Sequence, residues 1–190
     1  MDPNASQALV KKRQLADTLR GEFEATLNDR VNRFFEVRPH EIIPNTHFAP
    51  VSTEASMLFR DGHFYGCIAL TQATGEALAR FMCQKNKFKP AKVFETNVDK
   101  LYKRGFINPA LRSDLIGLWT GRDDYHHLNP NIEQDRQRLT QLAQEKIKLL
   151  QKIEREVFAF SVRNGALVPK CPQYWDMDDE NQTQVYLRLD

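Results

Sequence analysis

The sequence has no apolar run long enough to cross a bilayer, which takes roughly 20 residues, and none of signal-peptide length among residues 1 to 12. A cytoplasmic location without a membrane partner is the expectation. Cysteine is scarce. Cys67, Cys83 and Cys171 are odd in number, far apart and without a Cys-x-x-Cys pair. That pattern argues against a disulfide frame or a zinc site and implies reduced thiols. There is no phosphate-cradling glycine loop, no Gly-x-Ser-x-Gly elbow, no internal repeat and no long low-complexity tract. A large excess of either charge is lacking too. The net charge of +2 is too small for nucleic-acid binding across the whole surface.

What is present suits one globular domain. At 190 residues, with 41% hydrophobic and 27% charged residues, the chain can bury an ordinary core. Charge is uneven along it. From Cys171 to Asp190 there are five acids and one base, so the remainder carries +6. A moderately basic body with an acidic tail is compatible with an RNA ligand and with many other partners.

Leu15, Leu19, Phe23, Leu27, Val31 and Phe34 or Phe35 recur at intervals of four or three between charged residues, which predicts a long amphipathic helix over 4–35. Pro39 should stop it, because the proline ring disfavours helical geometry at Arg38. Ser52 or Thr53 can cap a second helix, with Asp61-Gly62 at its end. Residues 64–84, with small side chains at Gly66, Ala69, Ala73, Gly75, Ala77 and Ala79, predict a buried central helix that neighbours approach closely. A shorter helix is expected over 93–104, ended by Gly105. Asn108-Pro109 and Asn129-Pro130 each pair a capping side chain with a proline suited to a first turn, so helices are expected to start at both. The second of these should run to about Phe160 along Ile132, Leu139, Leu142, Ile153 and Val157.

The fold class implied is all-α: an up-and-down bundle of about five to six helices over 1–165, followed over 166–190 by a short hairpin or an extended tail. The strand candidates are 166–168 and 184–189, where Val185, Leu187 and Leu189 alternate with polar residues.

The densest chemistry lies in Arg122-Asp123-Asp124-Tyr125-His126-His127. A solvated turn between helices is the plain reading of such a stretch. Its setting, however, resembles the HEPN superfamily. An arginine, a polar residue, three further residues and a histidine stand here as Arg122, Asp123, Asp124-Tyr125-His126 and His127. They follow a Leu-rich helix, Leu111 to Trp119, and precede a long final amphipathic helix. The resemblance covers about 52–160. It implies a bundle that dimerises with two motifs facing each other across a cleft, and an activity as a metal-independent ribonuclease of toxin or defence type. Other members have lost activity and only bind.

On that basis Arg122 is expected to bind the scissile phosphate and His127 to move a proton, with Asp123 orienting Arg122 or a histidine. Asp124, Tyr125 and His126 are the expected substrate contacts. RNA, a second copy and a neutralising protein are the implied partners, with no cofactor and no metal. These residue types suit the chemistry. An imidazole titrates near neutral pH, and a guanidinium presents a fixed fork of donors to phosphate oxygens. Helix geometry alone selects a different histidine. Arg122 and His126 are four apart and share a face, whereas His127 is rotated by about 140°. Some members carry a tyrosine two positions after the histidine that a nucleotidyltransferase modifies. Here that position is Asn129, so silencing by that route is not expected.

His40, His47 and His63 are isolated and lack partners at metal-ligand spacing. Lys85, Lys87, Lys89 and Lys92, interleaved with Phe88, form either a solvated loop with one anchoring aromatic or a backbone-binding patch. Tyr174 and Trp175 should dock on the bundle or on a partner.

Overall fold

The computed structural model of the protein describes residues 3–37, 41–130, 132–179 and 182–188. The chain runs through α1 (Pro3–Glu36), β1 (Ile42–Pro44), α2 (Ala49–Asp61), α3 (Phe64–Lys85), α4 (Phe94–Lys103) and α5 (Pro109–Trp119). It continues with α6 (Arg122–His126), α7 (Arg136–Val157), β2 (Phe160–Arg163), β3 (Ala166–Pro169), a 3₁₀ turn (Pro172–Tyr174) and β4 (Val185–Leu187). The architecture is an all-α bundle with two small antiparallel ribbons. No described helix is long and apolar enough to cross a membrane.

Helix α3 is the axis, as its small residues predict. Cys67, Ile68, Leu78, Ala79, Met82 and Cys83 on it are fully buried. Gly75 is needed for packing rather than for backbone freedom. A Cβ there would sit 2.5 Å from Leu118 Cδ2, so any larger residue would make the buried Leu118 side chain of α5 shift. The three thiols are free, and burial pushes Cys67 up to about 12, which makes it inert at neutral pH.

Several boundaries differ from expectation for identifiable reasons. Helix α2 begins at Ala49 with Pro50 in its first turn, ahead of the expected Ser52 or Thr53 cap. Ser52 lies inside the helix and is drawn instead into a buried contact with Glu154 Oε1 at 2.6 Å. Asn108 caps α5 as predicted, its Oδ1 accepting from the Leu111 amide at 2.8 Å. Asn129-Pro130 starts no helix. Asp135 caps α7, accepting from the Arg138 amide at 2.9 Å, and Asn129 is used to hold the preceding turn.

The strand pairing also differs. The left-handed pair Asn164 and Gly165 (φ 51° and 80°) closes a hairpin between β2 and β3. The last segment does not join that hairpin. β4 pairs with β1, Ile43 opposite Tyr186, so the acidic tail returns to the start of the bundle. Arg188 follows it into a buried network, donating to Glu154 Oε1 and Oε2 at 2.9 Å and to Ser52 Oγ at 2.7 Å. Tyr174 and Trp175 dock on the bundle itself. Both are buried, Tyr174 against Phe81 and Trp175 edge-on to Phe158 and Phe160.

His47 lies edge-on to Phe48, and His63 is exposed just before α3. His40, Arg38, Pro39 and Leu189 lie outside the described residues. Among the described residues, no three His, Cys, Asp or Glu side chains cluster as a metal site would require.

Candidate functional site

The Arg122 segment is built on the C-terminal end of α5. Three carbonyls there, of Gly117, Leu118 and Thr120, accept from Lys146 Nζ of α7 at 2.7, 3.0 and 2.8 Å. Gln72 of α3 donates to the last two at 3.2 Å. Two side chains from neighbouring helices thus cap the helix end that otherwise leaves acceptors unpaired. Burial pulls Lys146 down to about 8, which is the cost of placing an ammonium there. Neither Gln72 nor Lys146 carries a signal in the sequence, because both look like ordinary helix-face polar residues.

From this capped end the chain turns through Gly121, whose φ of 73° is left-handed, and begins α6. Only five residues are helical. His127 already leaves the helix at φ −106°, ψ 1°, and Leu128 at φ 51° reverses the chain. Asn129 Nδ2 fastens the turn, donating to the Asp123 carbonyl at 3.4 Å and to Asp124 Oδ1 at 3.3 Å.

This unwinding decides which imidazole meets Arg122. Arg122 Nη1 stands 3.2 Å from His127 Nε2 and donates to Asp123 Oδ1 at 3.0 Å. Because a guanidinium only donates, Nε2 is the acceptor, and a neutral His127 carries its proton on Nδ1. Asp123 Oδ1 lies 4.0 Å from His127 Nε2, outside hydrogen-bond distance, so the carboxylate holds Arg122 and only neighbours the imidazole. Beneath them Trp119 stacks on Phe94, centroids 4.4 Å apart, and the Arg122 guanidinium lies 5.3 Å from the Trp119 ring. Arg122 is therefore held by a ring, an acid and an imidazole, with about a quarter of its side chain exposed, while His127 is 62% exposed. Trp119, named from the sequence only as the end of the Leu-rich helix, is the platform that sequence reasoning missed.

His126, the histidine that helix geometry favours, points the other way. Its ring packs towards the Ala69 carbonyl of α3, and burial, together with the Arg122 charge, holds it below the ordinary histidine range. Tyr125 likewise faces inward, its ring 6.3 Å from Tyr65, and burial raises its hydroxyl. Asp124 is tied to Asn129. Of the six candidate residues, the geometry brings Arg122, Asp123 and His127 together at the surface and turns Tyr125 and His126 into the joint with α3.

A pH effect follows for His126. Its folded value lies below the unfolded one, so on acidification from about pH 7 to about pH 5 the unfolded chain gains the proton first and stability is lost. Thermal unfolding of wild type and His126→Gln across that window measures it. The wild type should lose more, and equal losses would mean that His126 does not contribute.

The basic loop is less free than its sequence suggests. Lys85 ends α3, pairs with Asp176 and lies over Phe81. Phe88 is stacked on Phe106 and covered by Arg104 at 4.6 Å, so its ring faces are already engaged. Compared with family models, curated proteins and solved structures, the chain has no match.

Proposed function

We propose that this protein is a metal-independent endoribonuclease of toxin or defence type, acting on unpaired RNA through a composite site in which two copies of the Arg122–His127 motif face each other. The observation that supports it most is the contact between a fixed guanidinium and an exposed imidazole, Arg122 Nη1 to His127 Nε2 at 3.2 Å. A phosphodiester placed over that pair meets the two groups the reaction needs. Once Arg122 turns its Nη1 from His127 to the phosphate, the freed Nε2 of one His127 takes the 2′-hydroxyl proton, and the oxygen attacks the phosphorus. Arg122 neutralises the charge that builds on the non-bridging oxygens, and the 5′-oxygen leaves with a proton from the other His127. Unpaired RNA is the suitable substrate because the attacking oxygen must swing into line with the leaving one. Asp123 aligns Arg122.

A second reading is a bundle of the same kind that binds a nucleotide, RNA or a protein without cutting. The ion pair that occupies Arg122 Nη1 with Asp123 favours it, since a phosphate must displace that carboxylate. Incubating the purified protein with unstructured RNA in excess chelator separates the two. Cleavage is the expected result, and RNA retained intact on the protein would establish the second reading.

A further inference from the structure

Residues 7 to 29 of α1 are exposed along their whole length. Contact with the bundle begins at Arg30, which reaches Asp61 at 2.7 Å, and at Arg33, which donates to the Arg60 carbonyl at 2.8 Å. At 1.5 Å per residue the free part is roughly 35 Å long. It stands away from the body as an arm. Leu15, Leu19, Phe23 and Leu27 on it are between 41% and 58% exposed. Their uniform spacing of four makes them one oblique ridge, the kind that interlocks with the same ridge of another helix at a crossing of about −50°.

An isolated helix gains nothing from tertiary packing, which is the main source of helical stability in proteins. Gly21, in the middle of this one, has nothing within 4 Å of where a Cβ would be, and is unfavourable in a helix interior relative to alanine. The arm is a helix built for a partner.

Its charges say which. Residues 7–20 carry Lys11, Lys12, Arg13 and Arg20 against Asp17, whereas residues 21–29 carry Glu22, Glu24 and Asp29 and no base. Two arms crossing antiparallel near residues 19 to 21 set the basic block of each against the acidic block of the other. A parallel pair would set like against like. The ridge meets itself across a two-fold axis, as an isologous interface requires.

We infer that the α1 arm is a homotypic docking surface whose occupant is the antiparallel α1 arm of a second copy of this chain. The arm belongs to α1 and the motif to α6, so the nuclease reading calls for a separate contact between copies: a chain that pairs only at the motif loses this assignment and keeps that one, and a chain that pairs only through its arm does the reverse.

Sedimentation of the full chain over a range of concentrations tests it. The wild type should self-associate, as dimers where the arm alone pairs and as larger assemblies where the motifs pair too. Leu19→Glu with Phe23→Glu, both at exposed positions, should weaken self-association at least tenfold while leaving the unfolding temperature of the bundle unchanged. Lys11→Glu, Lys12→Glu and Arg13→Glu together should weaken it as well. Adding Glu22→Lys, Glu24→Lys and Asp29→Lys to that same chain should restore it. A wild type that stays monomeric at every concentration, a dimer indifferent to Leu19→Glu with Phe23→Glu, or a full charge exchange that fails to recover would each overturn the assignment.

Discussion

RNA cleavage should fall by about 10²- to 10⁴-fold in Arg122→Ala and in His127→Ala, with the unfolding temperature unchanged in His127→Ala. His127 is largely exposed, so its removal leaves the packing of the bundle intact. Arg122→Lys should recover little, because an ammonium lacks the planar fork that meets two phosphate oxygens and stacks on Trp119. The double variant should be no worse than either single one, since two groups that act on one transition state fail together. Timed digestion of a labelled oligonucleotide by each variant measures all three. Wild-type rates in both alanine variants would remove the assignment of this pair. His126→Ala offers the internal contrast, since its ring faces α3 and its loss should act chiefly through stability.

The largest expected effect on stability lies elsewhere, in Arg188. Its guanidinium is almost completely buried, holds both oxygens of the fully buried Glu154 and also binds Ser52. Arg188→Met leaves that carboxylate buried without its cation, which typically costs about 3–5 kcal/mol. For a chain of this size the melting temperature should drop by roughly 10 °C. Adding Glu154→Leu should return a good part of the loss, because an apolar pair in place of a buried ion pair is often close to neutral. Calorimetry of the single and double variants gives the comparison, and a double variant less stable than Arg188→Met would show that the network's worth is not the pairing of those charges.

How much of this was legible in the sequence depends on how local each signal is. Asn108 with Pro109 carries a complete start signal within two residues, and the small residues of 64–84 announce close packing; both are found in the structure. Asn129 with Pro130 carries the same local signal, but the side chain of Asn129 is claimed by the turn after α6, a competition visible only once the turn exists. β1 and β4 pair across most of the chain, and alternation in 185–189 says nothing about which strand it will meet. The apolar periodicity of α1 predicts a helix correctly and cannot say whether its ridge faces the bundle or another chain.

The candidate site was legible by composition and not by direction. The motif places Arg122, Asp123 and His127 within reach of one another on paper, yet an unbroken helix would have turned His126 towards Arg122. That α6 ends after one turn is decided by Leu128, whose left-handed φ carries no sequence signal, and by Asn129, at which the ring of Pro130 disfavours helical geometry. Lys146, Gln72 and Trp119, which fix the end of α5 beneath the motif, come from three helices, and only the fold brings them together.

Attack by the neighbouring 2′-hydroxyl leaves a chemical mark on the products. End-group analysis of RNA cut in excess chelator is the most direct measurement. Fragments ending in a 2′,3′-cyclic phosphate, each followed by one beginning with a free 5′-hydroxyl, are the predicted result. Fragments carrying a 5′-phosphate and a 3′-hydroxyl, or cleavage that stops when divalent ions are removed, would contradict the mechanism assigned to Arg122 and His127.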